Sequence, residues 1–354
     1  MNPVSTPVVI REVGLRDGLQ SIARVVPTAR KLEWIRAAHA AGQREIEVGS
    51  FVPPRLLPQL ADTETLVAFA RTLPGLCVSV LVPNLKGAER ALASGADAML
   101  LPLSASHAHS LANLRKTPDE VVREIARIRA ARDASGANVM LLPLSASHAH
   151  SLANLRKTPD EVVQEIARIR AARDAAGSKC LLEVGISTAF GCTIQGRVEP
   201  AEVLRLVAAA LDAGADRVGL ADTVGYADPL MVRRLFEQCG AVAGERLSCG
   251  HFHDTRGLGM ANVYAAWEAG IRRFDACLGG IGGCPHAPGA SGNVATEDVA
   301  YLFASMGVPT GLDFDALIAL RATVATWLDG ETLHGTLWRA GLPRTLRPAA
   351  GVTT

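Results

Sequence analysis

Aromatic residues are scarce in this chain of 354 residues, where Phe, Trp and Tyr together make up 4%. A surplus of positive charge is missing too, since Lys+Arg 36 stand against Asp+Glu 35. Nucleic acids are held by basic fields that neutralise phosphates or by aromatic platforms that stack bases, so neither DNA nor RNA is an expected partner. A run of some eighteen apolar residues, the length a membrane-spanning helix needs, is also absent, and no membrane association is expected. The seven cysteines are scattered without the spacing of a disulfide framework, which suits free thiols in a reducing compartment. Residues 1–14 carry neither the basic start nor the apolar stretch of a secretory signal, and the expected location is cytoplasmic.

What the chain does have is apolar material, 49% of its residues, enough for a large core and incompatible with intrinsic disorder. Short β-rich runs alternate with Ala- and Leu-rich amphipathic stretches. Strands are predicted at 8–14, 45–51, 77–82, 98–103, 181–187, 217–221, 247–252 and 274–279, with helices such as 29–41 and 201–213 between them. Strand and helix alternating about eight times argue a parallel sheet, and at this length a closed (β/α)8 TIM barrel, an α/β fold, over an open doubly wound sheet. The expected division is a catalytic barrel over 1–307 and a short C-terminal helical extension over 308–354, in which Trp327 and Trp338 read as core anchors.

One feature interrupts the rhythm. Residues 95–135 recur almost verbatim as 136–176, differing only at Asp97/Asn138, Ala98/Val139, Arg123/Gln164 and Ser135/Ala176. The period, 136 − 95 = 41 residues, is that of one complete strand–loop–helix unit. Each copy carries a helix-start signal, Thr117-Pro118-Asp119-Glu120 and Thr158-Pro159-Asp160-Glu161, in which Thr caps, Pro suits the first helical position and Glu reaches back to the cap amide. Two copies are too few for a solenoid. They raise the count of strand–helix units to nine where such a barrel closes with eight, so the repeat is read as one duplicated strand–helix unit, with one copy displaced from the ring.

The sharpest chemical signal is His251-Phe252-His253-Asp254 at the end of a predicted strand. Residues two apart on a strand face the same way, so both imidazoles can reach one metal ion. Taken alone, His-x-His is more often a pair of ordinary surface or core histidines. Asp17, in Arg16-Asp17-Gly18-Leu19-Gln20 at the end of the first predicted strand, changes that balance, because the strands of a closed barrel open onto one face. A mixed histidine, carboxylate and amide-oxygen set favours Mg2+ or Mn2+ over a thiolate-bound zinc. Arg16 could hold a carboxylate or a developing enolate oxygen, or it could be one half of a structural ion pair. After the last strand, Gly279-Gly280-Ile281-Gly282-Gly283-Cys284-Pro285 and Gly289-Ala290-Ser291-Gly292-Asn293 read as a loop able to approach a ligand closely. Cys284 there is a candidate proton donor or nucleophile, whereas Cys277 reads as core packing. His107-Ala108-His109 and its copy His148-Ala149-His150 lack a neighbouring carboxylate and read as loop residues.

These segments in this order resemble the 3-hydroxy-3-methylglutaryl-CoA lyase family of metal-dependent barrel lyases. The resemblance runs from about Val8 to Gly307 apart from the extra copy. It rests on Arg16 to Gln20, Glu47 with Ser50-Phe51-Val52, Pro83-Asn84-Leu85-Lys86-Gly87, Asp222-Thr223-Val224-Gly225, His251 to Thr255, and the two glycine-rich runs through Asn293. It implies Asp17, His251, His253 and Asn293 as ligands of a divalent metal ion, Mg2+ or Mn2+. It also implies that Arg16 stabilises a thioester enolate, that Cys284 lies on a closing loop, and that Glu47 and Asp222 support the metal and the substrate hydroxyl. Gln20, Ser50, Thr223 and Asn113 are the expected substrate contacts. The implied partner is an acyl-CoA substrate, the implied assembly a homodimer, and the implied reaction cleavage of 3-hydroxy-3-methylglutaryl-CoA to acetyl-CoA and acetoacetate, with His251 and Asp17 both open as the base.

Departures surround this core without removing a ligand. Cys192-Thr193-Ile194-Gln195-Gly196 replaces a Cys-Pro-aromatic-Glu-Gly run, Arg256 stands where Tyr is common, Pro53-Pro54-Arg55 replaces Ser-Pro-Lys, and His107 stands where Glu is frequent. A longer-branched 3-hydroxy-3-alkylglutaryl-CoA therefore stays open as substrate. Other readings are a Claisen-condensing synthase, which would carry a larger C-terminal region than the roughly fifty residues after Met306, a metallohydrolase barrel, and a metal-binding barrel inactivated by the repeat.

Overall fold

A computed structural model describes residues 6–81, 90–91, 93–100, 139–145, 160, 163–164, 181–193, 196–283 and 291–346. Nine strands, β1 (Val9–Glu12), β2 (Glu45–Ser50), β3 (Cys77–Leu81), β4 (Ala98–Leu100), β5 (Val139–Ser145), β6 (Leu181–Ser187), β7 (Arg217–Asp222), β8 (Leu247–Phe252) and β9 (Arg273–Ala276), close into one barrel in chain order. Every neighbouring pair is parallel, and β9 returns to β1 through Val9↔Arg273 to Glu12↔Ala276.

The parallel α/β barrel expected from the alternation stands, but the place of the repeat differs from expectation. Neither copy's strand is displaced. β4 and β5 belong to the first and second copies, and both are in the ring, which therefore has nine strands where eight were expected. They pair as Ala98↔Val139, Met99↔Met140 and Leu100↔Leu141, each residue beside its own counterpart. The physical reason is that each copy brings its own strand, β4 from the first and β5 from the second. A parallel strand offers each of its two neighbours the same pattern of N–H and C=O groups, from alternate residues, so another unit extends the ladder without a change of register. The helix-start threonines Thr117 and Thr158 and both His-x-His segments of the repeat lie outside the described residues.

Around the ring pack α1 (Thr28–Ala40), α2 (Thr63–Ala70), α3 (Pro200–Asp212), α4 (Pro229–Ala243), α5 (Gly259–Glu268), α6 (Thr296–Ser305) and α7 (Phe314–Trp327). Parallel strands covered by helices are buried on both faces and need continuous apolar runs. Ile46, Val48, Val78, Val80, Val184, Ile186 and Val218 are accordingly fully buried. Local signals set the helix starts. Asp228 accepts from the Leu230 and Met231 amides ahead of Pro229, and Asp313 accepts from the Ala316 amide at α7, caps worth about 1 kcal/mol each.

The alternation along β8 fixes which side chains face the bore. Phe252 packs outward against Phe236 of α4, ring centroids 6.1 Å apart. Cys249 and His251, offset from it by odd numbers of residues, therefore face inward. Beyond α6 the chain folds back over the barrel, where the Asp313 amide donates to the Ala41 carbonyl at the end of α1. Trp327 is buried there, as expected. Trp338 is not a core anchor, for it is 43% exposed and lies under the Arg321 guanidinium, 4.3 Å from the ring centre, a cation–π contact at the surface. Among the described residues no helix is long and apolar enough to cross a membrane.

Candidate metal centre

Asp17, His251 and His253 converge at the carboxyl ends of β1 and β8, with one ligand atom of each within 4.8 Å of the others. Asp17 does not end the first strand, as expected from the sequence. It lies in a single π-helical turn, Gly14–Gly18, that follows β1, and such turns recur at functional sites. His251 is in β8 and His253 just beyond it, with their Nε2 atoms 3.1 Å apart.

Asn293 arrives from forty residues further on. The segment after the glycine-rich loop runs antiparallel to the end of β8. The Asp254 amide donates to the Gly292 carbonyl, the Val294 amide donates to the Phe252 carbonyl, and His253 and Asn293 lie opposite each other. Asn293 Nδ2 donates to Asp17 Oδ2 at 2.9 Å. Two glycines permit this approach. A Cβ on Gly282, at φ 105°, would lie 2.6 Å from Asn293 Nδ2, and one on Gly292, at φ 123°, would lie 2.1 Å from the Gly280 carbonyl oxygen.

These residues suit a hard divalent cation. Asn293 Oδ1 is buried without a hydrogen-bond partner. Two nitrogen donors, a carboxylate and an amide oxygen make a set fit for Mg2+ or Mn2+. Adjacent corners of an octahedron with bonds of about 2.1 Å lie about 3 Å apart, close to the spacing of the two imidazole nitrogens.

Electrostatics separates the groups. Burial alone would raise the Asp17 carboxyl, but Arg16 and His251 outweigh it and hold it below the usual range. Burial and then the neighbouring His251 push His253 down, to about 3, so its ring is neutral and able to bind a cation. Burial works against a proton on His251, while Asp275 at its Nδ1 overcomes it and raises that ring's affinity. Arg16 is held by two carboxylates, with Nη1 2.8 Å from Asp17 Oδ1 and Nε 2.8 Å from Glu47 Oε2. Glu47 sits at a bulge in β2, where the pairing with β3 slips between Glu47 and Gly49, a device that re-aims side chains beside sites. Burial raises the Glu47 carboxyl and Arg16 opposes it.

Other sequence candidates are placed differently. Asp222 is buried at the end of β7, and its two oxygens accept from the Tyr226 and Ala227 amides of its own loop. Burial raises it to about 6 against those hydrogen bonds. Thr223 Oγ1 accepts from the Thr188 amide, and Thr188 is a buried non-glycine residue at positive φ, 54°. Ser50 Oγ accepts from the Val52 amide, and the Ser50 amide donates to Thr63 Oγ1. Gln20 is half-buried just after the Asp17 turn. Arg256 donates to the Val224 and Gly225 carbonyls and covers Tyr226 at 4.5 Å, tying the loops after β7 and β8 together. Asn113, Cys284 and His107 lie outside the described residues. Among the described residues Cys77, Cys192, Cys239, Cys249 and Cys277 form no disulfide, as the scattered spacing suggested.

Two residues that the sequence reading passed over complete the site. Asp275 on β9 accepts from Arg11 Nε at 2.8 Å and Nη2 at 2.9 Å, and its Oδ2 faces His251 Nδ1 at 3.2 Å. The overlooked signal was a charged residue at an interior position of each of two four-residue strands, Arg11 in VIRE and Asp275 in RFDA.

The HMGL-like family model matches residues 7–143 and 124–324, two stretches that overlap inside the repeat. The chain belongs to the HMGL-like family. It is 36% identical to an (R)-citramalyl-CoA lyase of Chloroflexus aurantiacus, over 94% of this chain and 95% of that one. A 3-hydroxy-3-isohexenylglutaryl-CoA/hydroxymethylglutaryl-CoA lyase of Pseudomonas aeruginosa is 36% identical, with 87% of this chain and 88% of that one covered. Among solved structures, an HMG-CoA lyase of Acinetobacter baumannii in complex with coenzyme A and 3-methylmalate superposes with a TM-score of 0.75, at 35% identity and 99% coverage of both chains. As a member of the HMGL-like family, this protein is a carbon–carbon lyase.

Proposed function

We propose that this HMGL-like lyase is a divalent-metal-dependent retro-Claisen enzyme that cleaves 3-hydroxy-3-methylglutaryl-CoA to acetyl-CoA and acetoacetate. The observation that carries the reading is the convergence of Asp17, His251, His253 and Asn293, with the guanidinium of Arg16 beside them. Asp17, His251, His253 and the Asn293 amide oxygen would hold Mg2+ or Mn2+. When bound, the ion supplies Lewis acidity that lowers the pKa of the substrate's tertiary hydroxyl.

Asp17 takes the hydroxyl proton, since both ring nitrogens of His251 are committed, Nδ1 to Asp275 and Nε2 toward the ion site. The electron pair left on oxygen forms the ketone of the departing oxo acid, and the C2–C3 pair moves into the thioester as an enolate. Arg16, fixed by Glu47 and Asp17 before substrate arrives, stabilises the charge that collects on the thioester oxygen. An acid, assigned to Cys284 by the family resemblance, protonates C2 and releases acetyl-CoA. Asp222 and Thr223 support the site through the loops they hold, Asp222 at the Tyr226 amide and Thr223 at the Thr188 amide.

A second reading is favoured by the Chloroflexus relative, whose length this chain matches almost throughout. Citramalyl-CoA differs from hydroxymethylglutaryl-CoA by one methylene in the carboxylate arm on C3, and the same steps would release pyruvate instead of acetoacetate. The test is an assay of both thioesters with Mg2+ or Mn2+ and with a chelator. Chelator-sensitive acetoacetate supports the proposal, pyruvate alone moves the substrate to the second reading, and product that survives metal removal contradicts the mechanism.

A further inference from the structure

Arg11, Asp275 and His251 lie in a single row across three adjacent strands, since β1 pairs with β9 at Arg11↔Asp275 and β9 pairs with β8 at Asp275↔His251. Residues paired in this way point to the same face of a sheet. The row faces the bore, with Cys249 Sγ 3.8 Å from Asp275 Oδ1 on the same side. We propose that Asp275, clamped by Arg11, is a positioning residue that orients the His251 ring and so presets the affinity of the site for a divalent cation. The inference rests on the reading of His251 as a ligand.

The clamp is bidentate. Arg11 Nε donates to one oxygen of Asp275 and Nη2 to the other, so the carboxylate cannot turn about its own axis. Oδ2 then meets His251 Nδ1 at 3.2 Å. With Nδ1–H donating to Asp275, Nε2 carries the lone pair, and Nε2 is the atom that faces His253. The other histidine has no such support, because His253 Nδ1 is buried without a partner. His253 is placed by the main chain, through its pairing with Asn293. One ring is thus aimed by a carboxylate and the other by backbone.

Burying Arg11 and Asp275 together, each 8% exposed, is weak as a stabilising device, because desolvation offsets the attraction of the pair. A second ion pair on β9 supplies an internal control. Arg273, two residues before Asp275 on β9, pairs with Glu45 at the start of β2, at the other end of the barrel and away from the histidines.

The experiment titrates Mn2+ into the metal-stripped full-length chain and follows free ion by electron paramagnetic resonance, with thermal melts of each variant alongside. Asp275→Asn should weaken Mn2+ binding by roughly 10–100-fold, the usual cost of losing an outer partner of a metal-bound histidine. Arg11→Met should weaken it in the same direction, Arg11→Lys should recover part of the loss, and Glu45→Gln should bind as the parent does. If Arg11→Met fails to fold, Asp275→Asn, which keeps the shape of the side chain, decides. Unchanged Mn2+ affinity in Asp275→Asn while the parent binds, or an equal loss in Glu45→Gln, overturns the inference and leaves the metal centre standing. Failure of the parent to bind Mn2+ overturns both.

Discussion

Two sectors of the same barrel obey different rules. Across β8, β9 and β1 the paired residues are charged, with Arg11 beside Asp275 and Asp275 beside His251. Across β4 and β5, on the far side of the ring, apolar residues pair with their own repeats, Ala98 with Val139 and Leu100 with Leu141. Rows without charged pairs join through backbone hydrogen bonds, so a further copy of the unit fits in. A charged row tolerates no slip, because moving one strand by a residue would turn Arg11 to the opposite face from Asp275 and leave a buried charge unpaired. The repeat falls where pairing is permissive, and every described residue of the metal centre lies outside it.

The contrast can be broken from the charged side. His253→Ala removes a proposed ligand and should lower kcat by more than the roughly 10–100-fold that outer partners cost, to about 10³-fold or beyond, with Mn2+ binding lost in parallel. A smaller loss would show that the reaction does not run through this site. Arg16→Met should reduce kcat by about 10²–10³-fold, as expected for a donor aimed at developing charge, while weakening Mn2+ binding less than His253→Ala does. Steady-state kinetics beside Mn2+ titration separates the two effects.

Buried ionisable groups behind the same sector sharpen the contrast through pH. Glu297 in α6 accepts from the Gly279 amide at 3.0 Å and faces Arg321 at 3.3 Å. Burial pushes its carboxyl up to about 7 from an ordinary 4.5. The folded chain therefore holds this proton more tightly than the unfolded one, and stability falls as pH rises from 4.5 to 7, by about 3 kcal/mol in all. Glu297→Gln has no such proton, so its unfolding free energy relative to the parent should climb by about that amount over the same interval. Denaturant unfolding at the two pH values reads the difference, and a constant difference would contradict the argument. The smallest effect is expected on the permissive side. Deleting residues 95–135 leaves 354 − 41 = 313 residues and one strand fewer, and Mn2+ affinity should stay within about threefold, well short of the roughly tenfold minimum for losing an outer ligand partner. A tenfold change would show that the repeat reaches the site.

What the sequence makes legible follows from periodicity and short-range spacing. Strand–helix alternation is enough for a parallel barrel, and the two-residue spacing of His251 and His253 is enough to put both rings on one face. Asp17 follows because barrel strands open toward a common end. Asn293 needed the family resemblance, since its approach depends on an antiparallel return that local pattern does not encode. Arg11 and Asp275 were passed over because they lie on strands distant in sequence, and only the register across the closure of the ring joins them. The repeat misled in the opposite direction. Counting to eight suggested a displaced copy, whereas a unit complete with its own strand finds backbone partners on either side.

The central claim is that the nine-stranded ring carries one working divalent-ion site. Equilibrium binding of Mn2+ to the metal-stripped full-length chain, beside His253→Ala, tests it most directly. One tight ion per chain is expected in the parent and none in the variant. Binding that is absent from the parent, or equally strong in both, would contradict it.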